Sequence, residues 1–294
     1  MPTVALACCS GMADLGGELA LLAPGLERAG LSCEPVVWDD AGVDWSAFDG
    51  MVVRATWDYT GRIEDFRAWV RSVAATTPVA NPPDVLVWNG DKRYLDDLAA
   101  AGVPVVDTRF LEPGGPVELP DWPELVVKPA VSAGARRTGR FTAGERGEAL
   151  SLVAAIHAEG TTAMVQPFLE AVDRDGEIDV VAFAGEPSHA VAKGGLLPAE
   201  PTWADDTSRV LGEWSRPEPL TAELAAFARH ALAAVPSDET LLYARVDSAL
   251  DADGTRRLME LELVEPYLFL AAAPDPAAAA DRFAAATRRW LGDH

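Results

Sequence analysis

The alternation of apolar and polar positions is sharpest in residues 241–270, LLYARVDSALDADGTRRLMELELVEPYLFL. Residues 241–247 are largely apolar, with Tyr243 and Val246, and place Arg245 and Asp247 two apart. Residues 257–263 alternate, so that Leu258, Glu260 and Glu262 fall on one face of a strand and Met259, Leu261 and Leu263 on the other. Between them Asp251-Ala252-Asp253-Gly254 is a hairpin turn, because Asp and Gly tolerate positive φ. The pattern predicts paired strands that set Asp247, Glu260 and Glu262 on the same side. Three carboxylates so placed repel one another unless a cation sits between them, and hard oxygen donors of this kind suit Mg²⁺. A solvent-facing acidic edge would share the spacing. The apolar opposite face and the run Glu265-Pro266-Tyr267-Leu268-Phe269-Leu270, which reads as buried, argue against it.

The rest of the chain begins with a β-α-β rhythm. Residues 3–8 form a strand, 17–29 carry helical periodicity ending at Gly30, and 33–38 and 50–54 are further strands. This predicts a parallel sheet covered by helices, with ligands beyond the carboxyl ends of its strands. Two stretches occupy such ends: 10–14, and Arg54-Ala55-Thr56-Trp57-Asp58-Tyr59. Arg54 has the planar fork that clamps a carboxylate; equally, it pairs with Asp58 while Trp57 and Tyr59 pack. Residues 62–73 read as an amphipathic helix. Asn81-Pro82-Pro83 breaks the chain, and 84–101 reads as one helix ending at Gly102, with Lys92 inside it. A lysine on a helix is ordinarily just solvated.

Residues 113–123 are rich in Pro and Gly and make a linker. A strand then ends in Lys128-Pro129 and runs into a loop of small residues and glycines, 130–140, where successive N–H groups can form an anion-binding nest. Lys128, Arg136, Arg137 and Arg140 add positive charge there. The loop lacks the GxxxxGK[ST] spacing of a P-loop, and an ordinary basic turn remains the other reading. A helix over 145–159 and a strand over 163–168 follow. Pro167 marks an edge or hinge within Gln166-Pro167-Phe168-Leu169. Residues 173–176 form a turn, and strands 177–183 and 188–193 pair around Gly185-Glu186. His189 reads as structural, whereas Lys193 ends its strand at Gly194-Gly195, within reach of a phosphate. Residues 196–216 are irregular, and a loop of that length inside a compact domain is often functional. Residues 221–235, capped by Thr221, and 275–290 are the closing helices.

Charge narrows the classes of function. Among 294 residues, 24 are Lys or Arg and 46 Asp or Glu, a formal net charge of -22. A nucleic-acid binder needs a basic footprint that this chain lacks, so any anionic ligand must be held by a local basic cluster. Cys8, Cys9 and Cys33 show no metal-ligand spacing, which suits a reducing cytoplasm. No apolar run reaches the length of a membrane span.

In order and spacing, the runs VRATWDY, DKRYLDDLAAAGVPV, VVKPAVSAGAR, SHAVAK and YARVD…LMELELVEP resemble the ATP-grasp ligases, and among them a bacterial subgroup that includes a cycloserine-forming cyclo-ligase. The resemblance implies an α/β fold, α+β in its nucleotide-binding part. It comprises an N-terminal parallel-sheet lobe (1–84), a connecting helix and linker (85–123), a small lid lobe (124–167) and a C-terminal mixed-sheet lobe (168–294). It implies ATP and one or two Mg²⁺ ions as cofactors. Lys92 and Lys128 would contact the α- and β-phosphates, with Ser132 in the covering loop. Gln166, Phe168 and Leu169 would hold adenine, Glu177 the ribose, and Lys193 would lie near the γ-phosphate. Asp247, Glu260 and Glu262 would bind the metal, and Arg245 would stabilise charge at the reacting carboxylate. Arg54, Trp57 and Asp58 would face an amino-acid-like substrate. The family usually has Asn where this chain has Glu262, a change that keeps an oxygen ligand and adds charge. The implied reaction activates a carboxylate as an acyl phosphate for attack by an amine or similar nucleophile. Intramolecular cyclisation, a phosphotransferase and a nucleotide-binding protein without chemistry are the alternatives. Many such enzymes dimerise, so the resemblance allows a homodimer; it implies neither a nucleic-acid nor a membrane partner.

Overall fold

The computed structural model describes residues 1–194, 197, 202–203 and 215–293. In its first part β1 (Thr3–Cys8), α1 (Leu19–Arg28), β2 (Ser32–Val37), β3 (Gly50–Ala55), α2 (Ile63–Ala74) and β4 (Val79–Ala80) build a parallel sheet in the order β2-β1-β3-β4. The central strands are apolar on both faces, as parallel strands between helices must be. Val4, Leu6 and Val52 pack on one side with Leu22 and Leu26, while Ala5, Ala7, Met51 and Val53 meet Phe66 and Val70 on the other.

Residues 84–101 do not form the single helix expected. They form α3 (Pro83–Asn89) and α4 (Tyr94–Ala100), broken around Gly90 and Lys92. At the break the Lys92 N–H donates to the Ala130 carbonyl at 2.9 Å, and the Asp91 carboxylate accepts from the Arg93 N–H. Lys92 is therefore tied to the loop after Lys128 rather than riding on a helix surface.

A second sheet follows, antiparallel and ordered β5-β8-β6-β7: β5 (Arg109–Leu111), β6 (Glu124–Pro129), β7 (Gly139–Thr142) and, after α5 (Arg146–Ala158), β8 (Ala163–Pro167). Phe141, Leu152, Val153 and Ile156 seal α5 onto it. In the loop between β6 and β7, Gly134, Ala135 and Arg137 have φ of 65°, 55° and 50°. Two non-glycine residues are thus held in the sparsely populated left-handed region.

The third sheet is antiparallel and ordered β11-β10-β9-β12-β13. A short helix α6 (Ala171–Asp175) occupies the expected turn and ends at Gly176, whose φ is 86°. A Cβ there would lie 2.5 Å from the Lys193 carbonyl oxygen, so glycine is required on both counts. Strands β9 (Glu177–Phe183), β10 (Glu186–Lys193) and β11 (Ser215–Glu218) come next, then α7 (Ala222–Ala233), β12 (Tyr243–Leu250), β13 (Arg256–Glu262) and α8 (Pro276–Gly292). Thr221 caps α7 by accepting from the Leu224 N–H. Of the irregular stretch expected over 196–216, most lies outside the described residues. Helix α8 returns to pack on α1 under the first sheet, where Phe283 joins Phe183 and Tyr243.

Beyond β13, residues 264–268 are held without a strand partner. The Val264 carbonyl accepts from the Tyr243 hydroxyl (2.9 Å), Glu265 from Trp57 Nε1 (3.3 Å), Pro266 from Arg54 Nη2 (2.8 Å), Tyr267 from Arg245 Nη1 (3.1 Å) and Leu268 from His189 Nε2 (2.8 Å). Five consecutive carbonyls are thus satisfied by side chains, which is how a buried irregular segment avoids orphan acceptors.

Candidate functional site

A cavity of about 450 Å³ opens where the three sheets meet, a volume within the usual range of small-molecule sites. The third sheet forms its floor. There Asp247 on β12 faces Asp179 on β9 and Glu260 on β13, one directly opposite the next. Like charges directly opposed across strands are destabilising, so the row is folded around cations. Lys193, at the end of β10, lies 3.1 Å from Glu177, 3.1 Å from Asp179 and 3.5 Å from Asp247. Arg245 grips Asp247 bidentately at 2.8 Å through each of two nitrogens, and also meets Glu262. Lys92 and Lys128 lie 3.1 and 3.5 Å from Glu260. Lys92 Nζ further donates to the Ser132 carbonyl at 2.7 Å, joining the loop of the second sheet to the floor.

Burial and pairing pull these groups apart in proton affinity. Burial pushes the Asp247 carboxyl up, but Arg245 and Lys193 outweigh it and hold it down at about 2. Burial likewise raises Glu260, and Lys92 and Lys128 bring it below the usual range. For Glu262 burial wins over Arg245 and lifts the carboxyl to about 7. Asp179 is raised well above the usual carboxylate range, by burial and by Asp247 opposite. Oxygens of Glu177, Asp179 and Asp247 lie within 4.8 Å of one another, and neither Asp179 oxygen receives a hydrogen bond. This all-carboxylate donor set, in which Asp179 meets Lys193 as an ion pair at 3.1 Å but accepts no hydrogen bond, fits a hard divalent cation such as Mg²⁺.

Lys92, Lys128, Ser132, Gln166, Phe168, Leu169, Glu177 and Lys193 all line this cavity, as do Arg245, Asp247, Glu260, Glu262 and Trp57. Two expected residues do not. Arg54 is 2% exposed and is spent on Glu18 (3.0 Å) and the Pro266 carbonyl. Asp58 accepts from Trp38 Nε1 and pairs with Arg62 on the outer surface. Arg54 is thus turned to Glu18 and Pro266 rather than into the cavity, and it does not pair with Asp58; a guanidinium inside the core is held by the carboxylate buried with it. The arginines of the 130–140 loop also turn away from the cavity. Arg136 and Arg137 pair with Glu159, and Arg140 pairs with Glu124 and Asp173 while covering the Phe168 ring at 3.4 Å. Lys128 is left as the cation of that strand and loop facing inward.

Sequence reasoning missed four residues. Asp179 stands two after Glu177 in an alternating strand, the same signal that exposed Glu260 and Glu262. Glu265 was read only as buried, yet it lines the cavity. Asn89 and Tyr94 complete the free edge of β13, Asn89 at Leu261 and Leu263 and Tyr94 at the Leu261 N–H. Nothing in the sequence distinguishes them from ordinary helix residues.

Residues 4–81 match the family model described as the N-terminal domain of D-cycloserine synthetase DcsG. The cycloserine biosynthesis protein DcsG of Streptomyces lavendulae is 35% identical over 257 residues, covering 84% of this chain and 86% of that protein. The crystal structure of D-cycloserine synthetase DcsG superposes with a TM-score of 0.89 at 32% identity, covering 98% of this chain and 99% of that one. The D-alanine–D-alanine ligase of Bacillus anthracis, complexed with ATP, shares the fold at a TM-score of 0.68 and 14% identity, over 99% and 98% of the two chains.

Proposed function

This chain belongs to the ATP-grasp ligases and, among them, to the family of the cycloserine biosynthesis protein DcsG, and on that footing we propose that it closes a ring on a single amino-acid-derived substrate by activating its carboxylate with ATP. ADP-forming ligation goes with the family. Ring closure is supported by the relative named for cycloserine biosynthesis at 35% identity, and activation by ATP by a cavity that gathers four cations and a row of carboxylates at one end.

In this reading Lys92 and Lys128 bind the α- and β-phosphates, with Ser132 above them. Gln166, Phe168 and Leu169 hold the adenine, and Glu177 the ribose. Lys193 reaches the γ-phosphate. Asp247, Glu260 and Glu262 would hold Mg²⁺, with the oxygens of Glu177 and Asp179 gathered beside Asp247, and the ion would supply charge neutralisation between two anionic reactants. A substrate carboxylate oxygen bonds to the γ-phosphorus, ADP departs, and an acyl phosphate results. A nucleophilic nitrogen of the same molecule then attacks the carbonyl; phosphate leaves and the nitrogen loses its proton. Arg245 faces the oxyanion of that step. Lys92 draws the 130–140 loop toward the floor, where it excludes water from the labile acyl phosphate.

The test is release of ADP and phosphate with MgATP and amino acids and their analogues, supplied singly and in pairs. Equal release of both with one compound is expected. A strict requirement for two compounds overturns ring closure in favour of intermolecular ligation, and ADP without free phosphate marks a phosphotransferase.

A further inference from the structure

Glu265 is the acidic group of the cavity that the nucleotide and metal leave unexplained. Its neighbours on the floor are all matched: Glu260 by Lys92 and Lys128, Glu262 and Asp247 by Arg245, Glu177 and Asp179 by Lys193. Among the described residues no lysine, arginine or histidine forms an ion pair with Glu265, although the residue is only 7% exposed and lines the cavity. The charged and titratable groups that act on it are Glu262, Lys92, Glu260 and the Tyr59 hydroxyl. Burial and Glu262 lift its carboxyl to about 8, so the ionised form lacks the partner it needs. A buried carboxylate without a cation is costly, and proteins keep such a group where a ligand supplies the missing charge.

Its surroundings say what charge that is. Trp57, Tyr59 and Tyr267 line the cavity with it, and aromatic rings beside a carboxylate favour an organic cation. The backbone is fixed beforehand, since the carbonyl of Glu265 and those of the residues on either side all accept from side chains. Preorganisation of this kind lets a single contact discriminate strongly. Resting on the reading above that the substrate is amino-acid-like, we propose that Glu265, flanked by Trp57 and Tyr59, receives the ammonium group of the substrate and so selects which carboxylates the enzyme activates.

The experiment is calorimetry on the full chain with MgADP present. The probes are D-cycloserine, D-serine and D-alanine, each set against its counterpart without the amino group: isoxazolidin-3-one, 3-hydroxypropionate and propionate. The wild type is expected to prefer at least one amino-bearing probe by about tenfold to a hundredfold, the range of a hydrogen bond to a charged group. In Glu265→Gln that preference falls to within about twofold, while MgATP affinity is retained and reports that the protein is folded. Glu265→Asp, which keeps the charge at shorter reach, is expected in between. A preference that survives in Glu265→Gln, or its absence from the wild type, overturns the assignment. Binding of MgATP with none of the probes overturns the amino-acid-like reading and this inference with it, leaving the nucleotide site standing.

Discussion

Single residues in this protein divide by what their charge meets. Lys128 and Asp247 face the cavity, and in the proposed reaction each touches phosphate or metal. Lys128→Ala and Asp247→Ala are each expected to lower ATP turnover by about 10²–10³ or more with an unchanged circular dichroism spectrum. Wild-type turnover in either folded variant would remove the assignment. Arg54 is the opposite case. It is buried against Glu18, whose carboxylate also accepts from the Leu268 and Leu270 N–H groups. Removing one partner of such a pair costs about 3–5 kcal/mol. Arg54→Ala is therefore expected to fall markedly in unfolding midpoint, and at low temperature to bind MgATP as the wild type does. A substrate KM raised in the folded variant, with MgATP affinity unchanged, would return Arg54 to the site.

At the scale of elements, β10 shows how a strand serves two ends at once. Lys193 finishes it at the cavity, while His189, in its middle, donates from Nε2 to the Leu268 carbonyl and accepts at Nδ1 from the Ser188 hydroxyl. Burial, aided by Arg282, lowers the ring to about 4 from an ordinary 6.5. A histidine depressed on folding contributes stability that is complete above 6.5 and is lost as pH falls toward 4. The shift corresponds to about 3 kcal/mol over that window. Unfolding by urea between pH 7 and 4.5 is expected to show this loss, and His189→Gln to flatten it; equal slopes in the two proteins would refute the linkage.

Much of this was legible in the sequence because it obeys a period. The 241–263 hairpin, the strand ending at Lys128 and the pairing of strands 177–183 and 188–193 all follow from alternation and turn residues. What escaped has no period. The helix expected over 84–101 breaks because a hydrogen bond from Lys92 to Ala130 outweighs local propensity. Arg54 meets Glu18 across 36 residues and Pro266 across 212. Glu265 sits in a segment whose conformation is set by five side chains from elsewhere in the chain, and no local pattern encodes that.

For the whole molecule the dominant quantity is charge. A chain at -22 repels a nucleotide that carries phosphates, and salt screens exposed charges within roughly 10 Å at 0.1 M. The association rate of MgATP is therefore expected to rise, not fall, as ionic strength increases from about 10 to 150 mM. Stopped-flow fluorescence of the cavity tryptophan Trp57 would read it, and a falling rate would show that the inward-facing lysines steer the nucleotide more strongly than the acidic exterior repels it. The cavity also depends on the entire chain, since the first sheet supplies Trp57 and Tyr59, the second Lys128 and Ser132, and the third the floor.

The saturated carbonyls of residues 264–268 carry a consequence for how such an enzyme changes its trade. The backbone there is fastened by Arg54, Trp57, His189, Tyr243 and Arg245, and Glu265, Tyr267 and Phe269 look into the cavity from this rail. Exchanging those three side chains alters what the pocket greets without shifting the rail that bears them. Libraries confined to 265, 267 and 269 are where an engineer would begin to retune this ligase, and where natural relatives with different appetites should be found to diverge.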